Sequence, residues 1–158
     1  MLPDLIGGPL RRAAATRFGA RVYRAVLPPL DKAVRAATGG SHTFTELVLP
    51  TLMLHTVGRK SGLRRAQPLV YLTVGDGYAV VGTNWGQEHH PAWTHNLLAE
   101  PDAEVELKGR VIGVRARLAN QDEHAMLYRR FEAVSPNYRE YPAWAGDREI
   151  RLFVLDPR

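Results

Sequence analysis

Between Thr51 and Leu155 the chain is cut into short segments by glycine-bearing turns, and this spacing restricts the fold more than any other feature. Thr51–Val57 (TLMLHTV) is a short apolar stretch, and Gly58–Gly62 (GRKSG) reads as a turn because two glycines bracket polar residues. Arg65–Val74 (RAQPLVYLTV) reads as a second strand, in which Pro68 calls for an edge or a bulge. Gly75-Asp76-Gly77 carries hairpin chemistry, and Tyr78–Thr83 (YAVVGT) follows as a third strand. After the irregular stretch Asn84–His90 (NWGQEHH), Pro91 suits the first turn of a short helix, PAWTHNLLAE. Ala103–Lys108 and Arg110–Leu118 alternate apolar and polar residues around Gly109, as a fourth and fifth strand do. Asn120 with Glu123 matches a capping box, which predicts a helix over Asn120–Ala133. Ser135–Asp147 is a loop rich in proline and tyrosine, and Glu149–Leu155 (EIRLFVL) is a last strand. Six strands without βαβ alternation predict a mainly β protein with peripheral α-helices. A closed or split β-barrel fits this pattern better than a Rossmann sheet.

The first forty residues differ in texture. They hold seven Lys/Arg against two acids, whereas the remaining 118 residues hold fourteen of each sign. The basic character therefore belongs to an N-terminal helical segment, residues 1–40, and not to the body, residues 41–158. That argues against a nucleic-acid partner, which needs a basic face on the folded module. From about Leu10 to Leu27, Arg17, Arg21 and Arg24 share one helical face while Phe18, Val22, Ala25 and Val26 share another. Pro28-Pro29 is expected to end or kink this helix. Its apolar face is expected to pack on the domain with the arginines in water; the alternative is peripheral contact of residues 10–27 with an anionic membrane surface. The absence of cysteine excludes disulfides, thiolate metal sites and a cysteine nucleophile. No apolar run is long enough to span a bilayer, and the first residues lack the apolar core of a secretory signal. A cytoplasmic protein is expected, at the inner face of the cell membrane if the helix makes that contact. Nothing in the pattern specifies an oligomeric state.

Four stretches carry candidate chemistry. Gly58-Arg59-Lys60-Ser61-Gly62-Leu63-Arg64-Arg65 puts four cations on a flexed turn. Free N–H groups, a hydroxyl and clustered cations suit a phosphate or carboxylate string, and the alternative is a solvated basic turn. Val81–Gly86 sits at a strand end, where glycines admit a planar ring or simply let the chain leave the sheet. His89–Asn96 contains three histidines, but His90 and His95 are five apart and do not share a helix face, so no metal is expected. The helix start there suits an anion or a ring edge, with Trp93 read more simply as a core aromatic. In Ser135–Trp144, Tyr138 and Tyr141 either line a pocket and donate a proton or plug one end of the barrel. The chain lacks GxSxG, GxGxxG and a spaced carboxylate pair, so its chemistry, if enzymatic, comes from a borrowed cofactor.

Taken in order, HTVGRKSG, RRAQPLVYL, GYAVVGTNWG, HPAWTHNLLAEP, NYREY and DREIRLFVLDP resemble the deazaflavin-dependent nitroreductase family, whose members use coenzyme F420. The resemblance implies a split β-barrel of the FMN-binding, flavin-reductase-like type. It also implies hydride transfer to a small organic acceptor: a quinone, a nitro compound or an activated alkene. The coenzyme's phosphodiester and oligoglutamate tail are then expected on Arg59, Lys60 and Ser61, and on Arg65, Ala66, Gln67, Pro68, Leu69 and Val70. Its ring is expected beside Val81, Gly82, Thr83 and Asn84 and beside Ala92, Trp93, Thr94, His95 and Asn96. Tyr138 matches a tyrosine near ring and substrate and is the candidate catalytic donor; Tyr141 matches a pocket tyrosine. Trp85 and Ser135 join Tyr138 and Tyr141 on the expected substrate side. Ser135 stands where some members carry tyrosine, and Asn84-Trp85 replaces a Lys-Gly or Asn-Gly pair, so Trp85 either stacks on the substrate or narrows the pocket. Competing readings are an FMN- or haem-binding protein, a membrane adapter without chemistry, and a non-catalytic carrier of a fatty acid or other apolar ligand on the same barrel. The cation cluster favours a long anionic tail over FMN's single phosphate.

Overall fold

The computed structural model describes residues 16–39 and 49–158. Six antiparallel strands close into a barrel in which β1 (Thr51–Val57) lies between β2 (Arg64–Val74) and β4 (Asp102–Leu107). β3 (Gly77–Val81), β6 (Leu152–Pro157) and β5 (Arg110–Leu118) complete the circuit. Alternation along the strands sorts the apolar residues into two cores. Leu52, Leu54, Val80, Val105, Val114, Phe153 and Leu155 form the first, joined by Trp93 and Leu97 of α2 (Ala92–Ala99). Their intervening neighbours Ala79, Val81, Leu152 and Val154 form the second, with Leu127, Tyr128 and Phe131 of α3 (Gln121–Val134) and with Tyr138 and Tyr141. The two tyrosines thus belong to the outer core and do not plug the barrel. The inner core is packed with side chains, so space for a ligand lies outside it.

Local chemistry explains the connections. Pro68 sits where β2 pairs with β1 alone, since β3 joins β2 only from Tyr71 onward; this is the edge that its missing N–H requires. The β2–β3 hairpin turns on Gly75 (φ 55°) and Asp76, while Gly77 already pairs in β3. A Cβ on Gly77 would lie 2.3 Å from the Leu155 carbonyl oxygen, so that glycine serves close strand approach and not the turn. Asn120 and Glu123 close the expected capping box on α3. The Ser135–Asp147 stretch is more ordered than its composition suggests, with a 3-10 turn at Pro136–Arg139 and the short α4 (Tyr141–Trp144).

Four expectations are corrected. The last strand begins at Leu152, not Glu149, because the carbonyls before it are used elsewhere: Ile150 accepts from His124 Nε2 at 2.7 Å and Arg151 from the Gly82 N–H at 2.8 Å. Pro91 is the N-cap of α2 and not a residue of its first turn. Of the two outcomes expected at Pro28-Pro29, an end is overturned: the N-terminal helix α1 (Arg17–Ala37) runs through both prolines. Its packing face is also different from the one expected. Phe18, Val22 and Val26 are 77, 43 and 51 % exposed, whereas Ala20 and Asp31 are buried and Tyr23, Leu27, Leu30 and Val34 are half-buried. The part of the expected helix before residue 16 lies outside the described residues.

Candidate functional site

A cavity of about 1270 Å³ lies on the outer face of the barrel, roofed by α1 and lined by residues of β1, β2, the β3 exit, α2 and the tyrosine segment. It exceeds the roughly 300–1,000 Å³ of an ordinary small-molecule site, room enough for two molecules side by side. Of the residues singled out in the sequence, Arg59, Lys60, Ser61, Arg65 to Val70, Val81, Thr83, Asn84, Trp85, Ala92, Trp93, His95, Asn96, Ser135, Tyr138 and Tyr141 all line it. Gly82 and Thr94 do not. They pack on each other behind the wall, where a Cβ on Gly82 would meet Thr94 Cγ2 at 2.7 Å.

The basic hairpin forms one end. The Gly62 N–H donates to the Gly58 carbonyl at 2.7 Å, and Gly62 takes φ 67°, which only glycine adopts without strain. Asn96 of α2, 6 % exposed, fixes this turn from behind. Its Oδ1 accepts from the Arg59 backbone N–H at 3.1 Å and its Nδ2 donates to Thr56 Oγ1 at 3.0 Å. Arg64 turns away to Glu104 at 2.6 Å. Arg59, Lys60 and Arg65 have no carboxylate partner among the described residues, and all three face the cavity.

The opposite wall is aromatic. Tyr138 is 8 % exposed and stacks edge-on to Tyr128 and Tyr141. Burial, reinforced by the two neighbouring tyrosines, pushes its phenol far above the ordinary tyrosine range. Tyr141 is pushed up to about 12 by burial, partly offset by a hydrogen bond from Asn137. Both phenols are therefore neutral hydrogen-bond donors at physiological pH. His90 and His95, in edge contact at 5.6 Å, are held below the ordinary histidine range by burial first and by Arg151 second. Among the described residues no three His, Cys, Asp or Glu gather as metal ligands. Two buried polar atoms lack partners, His90 Nδ1 and Asn137 Oδ1, and both belong to cavity-lining residues. A wall with incomplete hydrogen bonding is what a polar guest is needed to complete.

Between the two ends, the chain leaves β3 through a strained turn. Asn84 (φ 48°) and Trp85 (φ 56°) are both left-handed, at a cost of about 1–2 kcal/mol each for residues with a side chain. The Arg148 guanidinium donates to the carbonyls of Gly82, Thr83 and Gln87 at 2.9, 2.6 and 2.9 Å, so both ends of the turn are held by one side chain.

Sequence reasoning missed Tyr23, Leu27, Pro28, Asp31, Lys32 and Arg35 of α1, which line the cavity roof. The signal was present: Tyr23, Leu27, Leu30 and Val34 recur at spacings of four, three and four. It is visible only if the helix is allowed to cross the prolines. Arg35 anchors the end of the helix on Glu106 at 3.2 Å, and His55 meets the same carboxylate oxygen at 3.2 Å. Burial opposes the charge on Glu106, but these hydrogen bonds outweigh it and hold the carboxyl below its ordinary range.

Comparison with known proteins adds an independent line. The family model described as F420H(2)-dependent quinone reductase matches residues 30–157. The F420H(2)-dependent quinone reductase Rv1261c of Mycobacterium tuberculosis strain H37Rv is 40 % identical over 112 residues, covering 69 % of this chain and 74 % of that protein. Among solved structures, an F420-H2 dependent reductase (FDR-A) superposes with a TM-score of 0.62 at 30 % identity, covering 68 % of this chain and 94 % of the other. HutZ, the heme storage protein of Vibrio cholerae, shares the fold at 14 % identity with a TM-score of 0.50, covering 82 % and 90 % of the two chains.

Proposed function

This chain belongs to the F420H(2)-dependent quinone reductase family and is an oxidoreductase that uses coenzyme F420; from that premise we propose how its residues divide the work. When bound in its reduced form, the coenzyme supplies a hydride to the acceptor. Arg59, Lys60, Ser61 and Arg65 hold the phosphodiester and the acidic tail, because they are cations and a hydroxyl without acidic partners at one end of the cavity. Val81, Thr83, Asn84 and the α2 start at Ala92, Trp93, His95 and Asn96 border the ring, while Ala66 to Val70, next to Arg65 along β2, continue the wall for the phosphodiester and tail. Gly82 and Thr94 act one layer back, as the contact that brings α2 against the β3 exit. In this reading residues 41–158 are the cofactor-binding domain and residues 1–40 are an appended segment whose helix covers the site.

Trp85, Ser135, Tyr138 and Tyr141 take the acceptor, which for this chain we extend from quinones to nitro compounds and activated alkenes. All three acceptor classes develop negative charge on a heteroatom as hydride arrives. Tyr138 donates a hydrogen bond to that atom; its raised pKa keeps the proton on the phenol until then. α1 roofs the cavity and limits the entry of water.

The observation that carries the reading is one continuous cavity with three acid-free cations at one end and buried neutral phenols at the other. Titrating coenzyme F420 and FMN separately into the protein at low and high salt tests it, followed by oxidation of the reduced coenzyme with menadione. Tighter binding of coenzyme F420 at low salt, weak binding of FMN and menadione-dependent turnover are expected. Failure of the coenzyme to bind at any ionic strength overturns the assignment, and a copurifying lipid in its place would favour the carrier reading.

We also propose that α1 rests on an anionic membrane surface. Its exposed Phe18, Val22 and Val26 form a face separate from the residues packed on the barrel, and Arg17, Arg21 and Arg24 lie on the remaining side. No described helix is long and apolar enough to cross a membrane, so the contact is a lateral one. Cosedimentation with vesicles containing phosphatidylglycerol, and not with pure phosphatidylcholine, is expected. It should weaken in Phe18→Ser/Val22→Ser; equal pelleting of parent and variant removes the helix from the contact.

A further inference from the structure

We infer that Arg148 is a positioning residue that sets the size of acceptor the site admits, by holding the Trp85 ring as a partition between two cavities. Trp85 lines the main cavity on one side and, on the other, a smaller space of about 330 Å³ bordered by Trp144 and by Arg17, Arg21 and Arg24 of α1. The ring meets Tyr23 of α1 at 6.5 Å and packs against the outer core. Its backbone does not favour this position: Asn84 and Trp85 are left-handed in succession, and Gly86 (φ 71°) is pressed on Trp144. A turn so strained persists only when its surroundings fix it.

Arg148 is the group that does so. Its three hydrogen bonds reach the carbonyls of residues 82 and 83 before the turn and of residue 87 after it, so the planar fork spans the turn's base. Asn84 Nδ2 to the His89 carbonyl, 2.9 Å, and Gln87 Nε2 to the Asn84 carbonyl, 3.1 Å, are local ties that move with the loop. The Gly82 N–H also reaches the Arg151 carbonyl at 2.8 Å, but among the described residues Arg148 is the side chain that ties both ends of the turn to the segment preceding β6. It forms no ion pair among the described residues and does not line the main cavity, so a direct role in holding substrate is not its function. Lysine cannot substitute, because a single ammonium does not span three carbonyls in one plane. Without the fork, Trp85 leaves its place and the two cavities join.

The test rests on the acceptor reading above and is arranged so that the two can fail separately. Steady-state kcat/KM is measured with menadione (two fused rings) and phenanthrenequinone (three fused rings) for the parent, Arg148→Gln, Arg148→Lys, Trp85→Ala and Trp85→Ala/Arg148→Gln. The ratio of large to small acceptor is expected to rise about fivefold or more in Trp85→Ala and in Arg148→Gln. In the double variant, the arginine change should add nothing further to that ratio. Arg148→Lys should resemble Arg148→Gln. A proportional fall for both acceptors, or effects that multiply in the double variant, overturns the inference. An independent readout needs neither cofactor nor turnover. In protein labelled with 5-fluorotryptophan, Arg148→Lys should shift or broaden the fluorine resonance of Trp85 and leave that of Trp93, in the inner core, in place. Unchanged Trp85, or equal change in Trp85 and Trp93, refutes positioning even if the enzymatic reading is wrong. If the parent reduces neither quinone but the Trp85 resonance responds as expected, the acceptor reading fails and the partition stands.

Discussion

Replacing Asn96 by alanine tests whether the basic hairpin and α2 form one device. The side chain is 6 % exposed, and both ends of its amide are engaged: Arg59 N–H at 3.1 Å and Thr56 Oγ1 at 3.0 Å. Asn96→Ala leaves the Thr56 hydroxyl buried without its partner, at a cost of about 1–3 kcal/mol. The Arg59 N–H is nearer water, so its loss adds about 1 kcal/mol at most. A total of about 1–4 kcal/mol corresponds to a fall in Tm of roughly 2–16 °C for a domain of this size. The same change frees the Arg59–Lys60–Ser61 turn, so affinity for coenzyme F420 should fall even at temperatures where the variant is folded. Differential scanning fluorimetry and a fluorescence titration of the coenzyme read the two effects. Asn96→Asp keeps an acceptor for the Arg59 N–H, and the Thr56 hydroxyl can reverse to donate, so it should retain more affinity than Asn96→Ala. A Tm within 2 °C of the parent's (the lower bound of the conversion being roughly 2 °C per kcal/mol) would show that the amide bridges nothing of consequence. Coenzyme affinity unchanged in a destabilised variant would show that the hairpin is not held by α2 for binding.

Lys60→Ala should weaken coenzyme F420 about 2- to 10-fold at low salt and less at high salt, because the contact is a screened, exposed charge; isothermal titration at two ionic strengths decides. Tyr138→Phe should lower kcat roughly 10-fold or more while leaving the coenzyme's Kd nearly unchanged, and an unaltered kcat would remove Tyr138 as donor. Glu123 is held down to about 2, chiefly by its hydrogen bonds from Arg117 and from the Asn120 N–H. A depressed carboxyl stabilises the fold above its unfolded pKa of about 4.5 and loses that contribution as pH falls toward 2. The parent's Tm should therefore approach that of Glu123→Gln as the pH is lowered through this window, and parallel Tm curves would contradict the linkage.

The barrel was legible because its information is local. Alternation on β4 and β5, the glycine-marked turns and the capping box at Asn120 each specify their own element, and the strands they specify have one simple way to close. The lining of the cavity was legible to the extent that its residues lie close in sequence, as in Arg59 to Ser61 and in Ala92, Trp93, His95 and Asn96. What joins those stretches was not. The amide of Asn96 reaches Arg59 across 37 positions, and Arg148 reaches Gly82 across 66. Neither residue type advertises such a partner. Gly82 and Thr94 were expected among the cavity residues from the family resemblance, yet they face each other one layer behind the wall, where the helix carrying Thr94 closes on the exit of β3.

The helix shows a different limit, at Pro28-Pro29, where the sequence leaves open whether it ends or kinks. Two prolines remove two backbone donors, and on propensity alone a helix should end there. In α1 the cost is met by contacts on both sides of the break: Tyr23 against Trp85 before it, and Arg35 on Glu106 after it. Once the helix is continuous, it carries two apolar stripes and not one. The inner stripe, Tyr23–Leu27–Leu30–Val34, closes the cavity roof; the outer stripe, Phe18–Val22–Val26, is left in solvent. A single stripe would be satisfied by the barrel alone. Two stripes on separate faces, with arginines on a third, leave the outer stripe for a partner other than the barrel, and the vesicle cosedimentation proposed above decides whether that partner is an anionic membrane.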